Sequence, residues 1–268
     1  MKFDAYGATI REHEFPYVVD CLAASIGGVA SNGRPMRRYA NTVSIDLNGR
    51  LAAWVGQDST SGAIYVEGKG DSTPTLVKAI RVHFPEHTAP RIDVCEDYND
   101  PGAFDALQAV IRAAKGPKVK GGYVALPDDV EDGKTWAAGV RGGVGYVRVY
   151  EWGKHPDRIH LGKPHAVRAE GEFRPHYARD KAAAAKMQPM EVWGMSAWTH
   201  RVGEALTQCP ITRWDPEVRR YSYDKTTRYL ATTFRRHLEE MLRNGEHIES
   251  TFRGVWAEND AQNNRFRH

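Results

Sequence analysis

Two short β-rich runs, ANTVSIDL ending at Leu47 and RLAAWVGQ beginning at Arg50, are separated only by Asn48-Gly49. Asn-Gly between such runs is the strongest short hairpin signal, because both residues tolerate the positive φ of a turn that follows the strand twist. A third run, GAIYVEGKG, follows across the Ser/Thr/Gly cluster at 58–62. The three predict an antiparallel meander, and a chain that opens this way is not built on a purely parallel sheet. Further strands are expected at Pro90–Asp97, Gly121–Leu126, Tyr146–Tyr150 and His165–Phe173. Helical spacing predicts helices at Tyr17–Ile26, at Thr73–Phe84 between Pro74 and Pro85, and at Pro101–Ala114. Residues 1–15 read as an edge segment in which Phe3, Ala5 and Tyr6 begin a strand. After Pro175 the pattern turns helical, through Lys181–Met187 and Val192–Leu206 to a long helix at Lys225–Asn244. The expected fold is α+β: a mostly antiparallel sheet, helices on one side, and a helical C-terminal third. The expected division is a strand-rich domain over 1–180 with a helical region over 181–268 packed on it.

The chain has 268 residues, enough for a sizeable core, and a net charge of +3, which permits nucleic-acid binding without arguing for it. Cys21, Cys95 and Cys209 are far apart and have no zinc-finger spacing. No run approaches the ~18 apolar residues of a membrane span, and the N-terminus has no apolar signal region. The expected location is the cytoplasm, with no membrane partner.

Three expected strands share one feature. Arg91 stands two residues before Asp93, Arg148 before Tyr150, and Arg168 before Glu170. Period-two alternation puts each pair on one side, with Asp97 on the Asp93 side, Glu172 on the Glu170 side and Tyr146 on the Tyr150 side. If the three strands are neighbours, they form a surface of carboxylates, phenols and guanidiniums. Such a set suits phosphodiester transfer: carboxylates hold a hard divalent cation, Mg²⁺ or Mn²⁺, guanidiniums fit phosphate oxygens, and a phenol attacks once its phenolate is favoured. The same pattern fits a solvated sheet face laced with ion pairs worth under ~1 kcal/mol each. The strands alone leave both readings open.

Other signals exclude more than they assign. Gly133-Lys134-Thr135 is no phosphate-binding loop, since Asp128 stands where the upstream glycine belongs. His155, His160 and His165 read as surface histidines of a basic connection, and no two histidines flank one apolar residue in the manner of HUH nucleases. Trp193, Trp198, Met190 and Met195 read as core, and the basic face of the 225–244 helix as a solvated face.

Three blocks in order, PRIDVCED, GVRGGVGYVRVYEWGK and VRAEGEFR, resemble the Rep_trans family of rolling-circle replication initiators. These occur in filamentous phages, their prophages and staphylococcal-type plasmids. The likeness runs from about Ala63 to Arg174. It implies a fold distantly related to HUH nucleases and an enzyme that nicks and rejoins origin DNA through a 5′-phosphotyrosine. It implies Tyr150 as nucleophile assisted by Arg148, with Mg²⁺ or Mn²⁺ held by Asp93 and Glu170 and by Asp97 as a further carboxylate. Arg91, Arg141, Tyr146, Arg168 and Arg174 are the implied DNA contacts. The implied partners are double- and single-stranded origin DNA, a host helicase and single-strand-binding protein in a bacterial cell, and a second copy of the chain. Two positions depart from the family pattern: Pro90 replaces a threonine, and Trp152 replaces a lysine two residues after the tyrosine, which leaves Lys154 as the nearest substitute. Two other classes remain beside this one: a DNA-binding regulator without catalysis, and a metal-dependent phosphodiesterase that uses water.

Overall fold

The hairpin at Asn48-Gly49 forms, with φ of 54° and 75° at the two residues. It joins β3 (Tyr39–Leu47) to β4 (Arg50–Asp58), and β5 (Ile64–Lys69) completes the meander. The computed structural model describes residues 1–34, 38–125, 133–155, 158–214, 233 and 235–245. The chain divides into two units, Met1–Glu217 and Val218–His268. The first also contains β1 (Lys2–Ile10), α1 (Phe15–Ile26), β2 (Val29–Asn32), α2 (Thr73–His83), β6 (Thr88–Asn99), α3 (Ala103–Lys115), β7 (Gly121–Ala125), β8 (Thr135–Gly139), β9 (Gly145–Tyr150), β10 (Ala166–Phe173), α4 (Ala178–Ala184) and α5 (Ala197–Thr207). In the second, the described helix is α6 (Arg235–Arg243). The rest of the helix expected at 225–244, apart from Thr233 and Asn244, lies outside the described residues. The boundary drawn after residue 180 falls inside the first unit. Among the described residues no helix is long and apolar enough to cross a membrane.

Among the described residues ten strands join one antiparallel sheet in the order β2-β3-β4-β5-β1-β6-β10-β9-β8-β7. The fold class is therefore α+β, as the sequence patterning predicts. One expectation is corrected. The first residues are not an edge: β1 lies at the centre, paired with β5 on one side and β6 on the other. The reason is burial. Tyr6, Ala8 and Ile10 are at most 1% exposed, as a strand covered by a helix requires. Here α2 covers β1, β4 and β5.

The element order repeats. β1-α1-β2-β3-β4-β5-α2 is followed by β6-α3-β7-β8-β9-β10-α4, each half folds its five strands in the same order outward, and the halves meet at β1 and β6. α2 packs on β1 as α4 packs on β6. One core cluster spans both halves, from Ile45, Val55 and Leu22 through Tyr6 and Ile92 to Val147, Phe173 and Trp193. The opposite face of the sheet carries the charged residues of β6, β10 and β9.

Candidate active site

β6, β10 and β9 are consecutive in the sheet. Their register sets three rows of side chains across one face: Asp97–Arg168–Tyr150, Cys95–Glu170–Arg148, and Asp93–Glu172–Tyr146. The three Arg-led strands of the sequence are thus brought together. Asp93 and Glu170 are diagonal rather than opposite; the carboxylate facing Asp93 directly is Glu172. The glycine turn at 139–145, with positive φ at Gly139 and Gly142, brings β9 back along β8 and so places Tyr150.

This face is no solvated salt-bridge lattice. Asp93, Glu170 and Glu172 are each 2% exposed and Arg168 is 7% exposed. Charges so buried must be paired, and they are. Arg91 grips Asp93 with two donors, Nε to Oδ1 at 3.0 Å and Nη2 to Oδ2 at 2.6 Å. Arg91 also reaches Glu67 on β5 at 3.3 Å, across Gly7 of β1, which has no side chain to obstruct it. Arg174 holds Glu172 at 2.7 Å. Arg168 binds Asp97 at 2.5 and 2.9 Å and Asp4 at 2.6 Å. Arg148 donates through Nη2 to Glu170 Oε1 and lies against the Tyr150 ring, while its buried Nε has no partner. The phenol of Tyr150 donates to Glu170 Oε2 at 2.8 Å.

The electrostatics follow. Burial pushes the Tyr150 phenol well above its ordinary value, and the Glu170 carboxylate adds to the shift against the opposing pull of Arg168. Tyr150 is therefore a neutral donor here. Burial also raises Asp93, to about 6; Arg91 opposes this, while Glu170 and Glu172 contribute to it. Burial alone would raise Asp97, but hydrogen bonding and charge from Arg168 and Lys2 hold it below its ordinary range. The same burial acts on Glu172, overcome by Arg174, Arg91 and the exposed Arg141.

Among the described residues no three His, Cys, Asp or Glu side chains converge as a metal cage. The donor chemistry nevertheless fits a hard divalent cation, which takes oxygen ligands and commonly only one or two carboxylates. Such a cation would relieve the burial cost that raises Asp93 and the lesser repulsion from Glu170 and Glu172. Arg91 and Arg148 occupy the same oxygens, so a cation competes with them.

Two neighbours of Tyr150 matter. Lys154 forms an ion pair with Glu151 at 3.0 Å. The guanidiniums of Arg158 and Arg168 each lie over the Trp152 ring, whose buried indole N–H has no partner among the described residues. A concavity of about 980 Å³ opens here, bordered by Tyr150, Trp152, Arg158 and Arg168 on one side and Lys69 and Leu51 on the other. Sequence reasoning missed Asp4 and undervalued Glu172. Asp4 faces Arg168 because a bulge between Phe3 and Ala5 breaks the alternation of β1, which no sequence pattern announces. Glu172 had a signal, its spacing of two from Glu170 on the same strand.

No protein-family profile and no curated protein matches the chain. Among solved structures it is similar to a rolling circle replication initiator protein from Geobacillus stearothermophilus, with a TM-score of 0.49 and 15% sequence identity, over 80% of this chain and 98% of that one.

Proposed function

We propose that this chain initiates rolling-circle DNA replication by nicking one strand at an origin and later rejoining it, as a member of the Rep_trans family. One observation carries the reading: a tyrosine hydroxyl 2.8 Å from a buried carboxylate, amid arginines on three adjacent strands. In the proposed step Tyr150 Oη attacks the scissile phosphorus and Glu170 Oε2 takes its proton. The bond from phosphorus to the 3′-oxygen breaks, the 3′-oxygen leaves and gains a proton from solvent, and a 5′-phosphotyrosine ester remains. Attack by a later 3′-hydroxyl reverses these changes and rejoins the strand. Asp93 and Glu170, with Asp97 as a further carboxylate, would hold Mg²⁺ or Mn²⁺, which when bound would supply Lewis-acid polarisation of the phosphate. Arg148 offers its unpartnered Nε–H to a phosphate oxygen, and Arg168 and Arg91 exchange carboxylate for phosphate as the strand enters.

The test uses labelled single-stranded oligonucleotides tiled from DNA flanking the coding sequence, with Mn²⁺, followed by a denaturing gel. The reading predicts a covalent adduct that disappears in Tyr150→Phe and on chelation. Cleavage without an adduct supports a water-using phosphodiesterase instead. Binding without cleavage supports a regulator, a reading favoured by the carboxylate pairing of Arg91, Arg148 and Arg168.

A further inference from the structure

The half of the sheet away from Tyr150 presents an aromatic surface that the nicking reading does not use. Tyr39, Trp54 and Tyr65 stand on β3, β4 and β5, all half-buried, with centroids 4.9 Å apart for Tyr39–Trp54 and 6.4 Å for Trp54–Tyr65. Two glycines seat them. A Cβ on Gly56 would lie 2.3 Å from the Trp54 ring and 2.9 Å from that of Tyr39; one on Gly7 would lie 2.6 Å from the Tyr65 hydroxyl. Neither glycine has a positive φ, so what each position needs is room for a ring. The rings line a concavity of about 800 Å³ whose border includes Arg11, Arg34, Lys69 and Lys181. Arg11 and Arg34 are exposed, and among the described residues no carboxylate pairs with either. Leu51, Ala52 and Lys69 border this concavity and the Tyr150 concavity alike. Trp54 and Tyr150 are five strand intervals apart, or ~24 Å.

We infer that the Tyr39–Trp54–Tyr65 surface stacks unpaired bases of the DNA strand whose scissile phosphate reaches Tyr150. Aromatic faces beside the exposed Arg11 and Arg34 are what a single strand needs: rings for bases, guanidiniums for phosphates. Shielding of two glycines explains the rings but not the unpaired arginines or the continuity with the Tyr150 concavity. The repeat places β3, β4 and β5 as counterparts of β8, β9 and β10, so one half holds bases where the other holds the chemistry. The inference rests on the reading of DNA as substrate.

Its test is binding of a fluorescent mixed-sequence single-stranded DNA oligonucleotide to the full chain, by anisotropy, without divalent metal. Trp54→Ala and Tyr39→Ala should each weaken binding about tenfold, with little effect on a duplex of the same sequence. Trp54→Phe should restore most of the affinity. The oligonucleotide should quench wild-type tryptophan fluorescence, and Trp54→Phe should reduce that quenching, a comparison that needs no ring deletion. Arg11→Gln with Arg34→Gln should lower the salt slope by ~1.4, two phosphate contacts at ~0.7 each. The readout is binding without divalent metal, so failure of the nicking chemistry leaves this test intact. The inference is overturned by equal binding of the ring variants and wild type, equal weakening on duplex, preference for the same sequence in RNA, or no single-strand binding by wild type.

Discussion

Glu170 meets two donors at once, the Arg148 guanidinium at Oε1 and the Tyr150 phenol at Oε2. A carboxylate so placed keeps the phenol neutral, and in the proposed step it is the group that receives the proton. Asp93 nearby gives a stability signature. Burial raises it to about 6, above its value in an unfolded chain, so the folded state binds the extra proton between roughly pH 4 and 6. Its favourable contribution is complete below that window and is lost as pH rises through about 6. Denaturant titrations from pH 4 to 7 should show this loss, up to ~3 kcal/mol, and Asp93→Asn should flatten it. At this scale the sequence was legible for residue choice and strand side. Asp93, Tyr150 and Glu170 lie on one face of adjoining strands as alternation predicts. The partners were not legible: Arg148 pairs with Glu170 across strands rather than serving its own strand's Tyr150 alone, and only register decides that.

Among the elements, β1 and β10 show where pattern misleads. All eight residues of β10 are buried, although the alternation of Arg168, Glu170 and Glu172 fits a solvated face as well as a site. Neighbouring β6 and β9 supply enough opposite charge to bury that face, and neighbour identity is a tertiary fact. β1 reads as an edge because its run is short and mixed, yet it anchors the sheet through Tyr6, whose hydroxyl donates to His87 Nε2 at 2.8 Å. The other ring nitrogen donates to the Phe84 carbonyl at 2.7 Å, so His87 is held neutral. Burial lowers its pKa below the ordinary ~6.5. A depressed histidine contributes stability present above the unfolded value and lost as pH falls. The His87 contribution therefore declines below about pH 6.5, opposite in sign to that of Asp93, and is read as the difference in chemical denaturation between wild type and His87→Asn. Tyr6→Phe, which strips the buried acceptor of its donor, should cost about 1–3 kcal/mol at pH 8. The hairpin at Asn48-Gly49, by contrast, was fully legible, because its turn geometry is written in two adjacent residues.

For the whole first unit, the seam between the repeated halves is the point of interest. β1 and β6 pair antiparallel, with Tyr6 opposite Ile92, both wholly buried. Since one core crosses this seam, the two halves should unfold together. Ile92→Ala should cost about 2–5 kcal/mol and lower hydrogen-exchange protection by the same free energy in β4 and in β9; separate transitions for the two would contradict the shared core. No internal sequence repeat betrays the duplication. One half keeps rings and glycines where the other keeps carboxylates and a tyrosine, and topology depends on the apolar pattern rather than on those side chains.

The central claim is that Tyr150 is the nucleophile, and peptide mapping of the protein–DNA adduct tests it most directly. After nuclease and protease digestion, mass spectrometry should find a nucleotide on the peptide containing Tyr150, with fragmentation placing it on that phenol. A nucleotide on Tyr146, or cleaved DNA bearing a free 5′-phosphate and no modified peptide, would contradict the account.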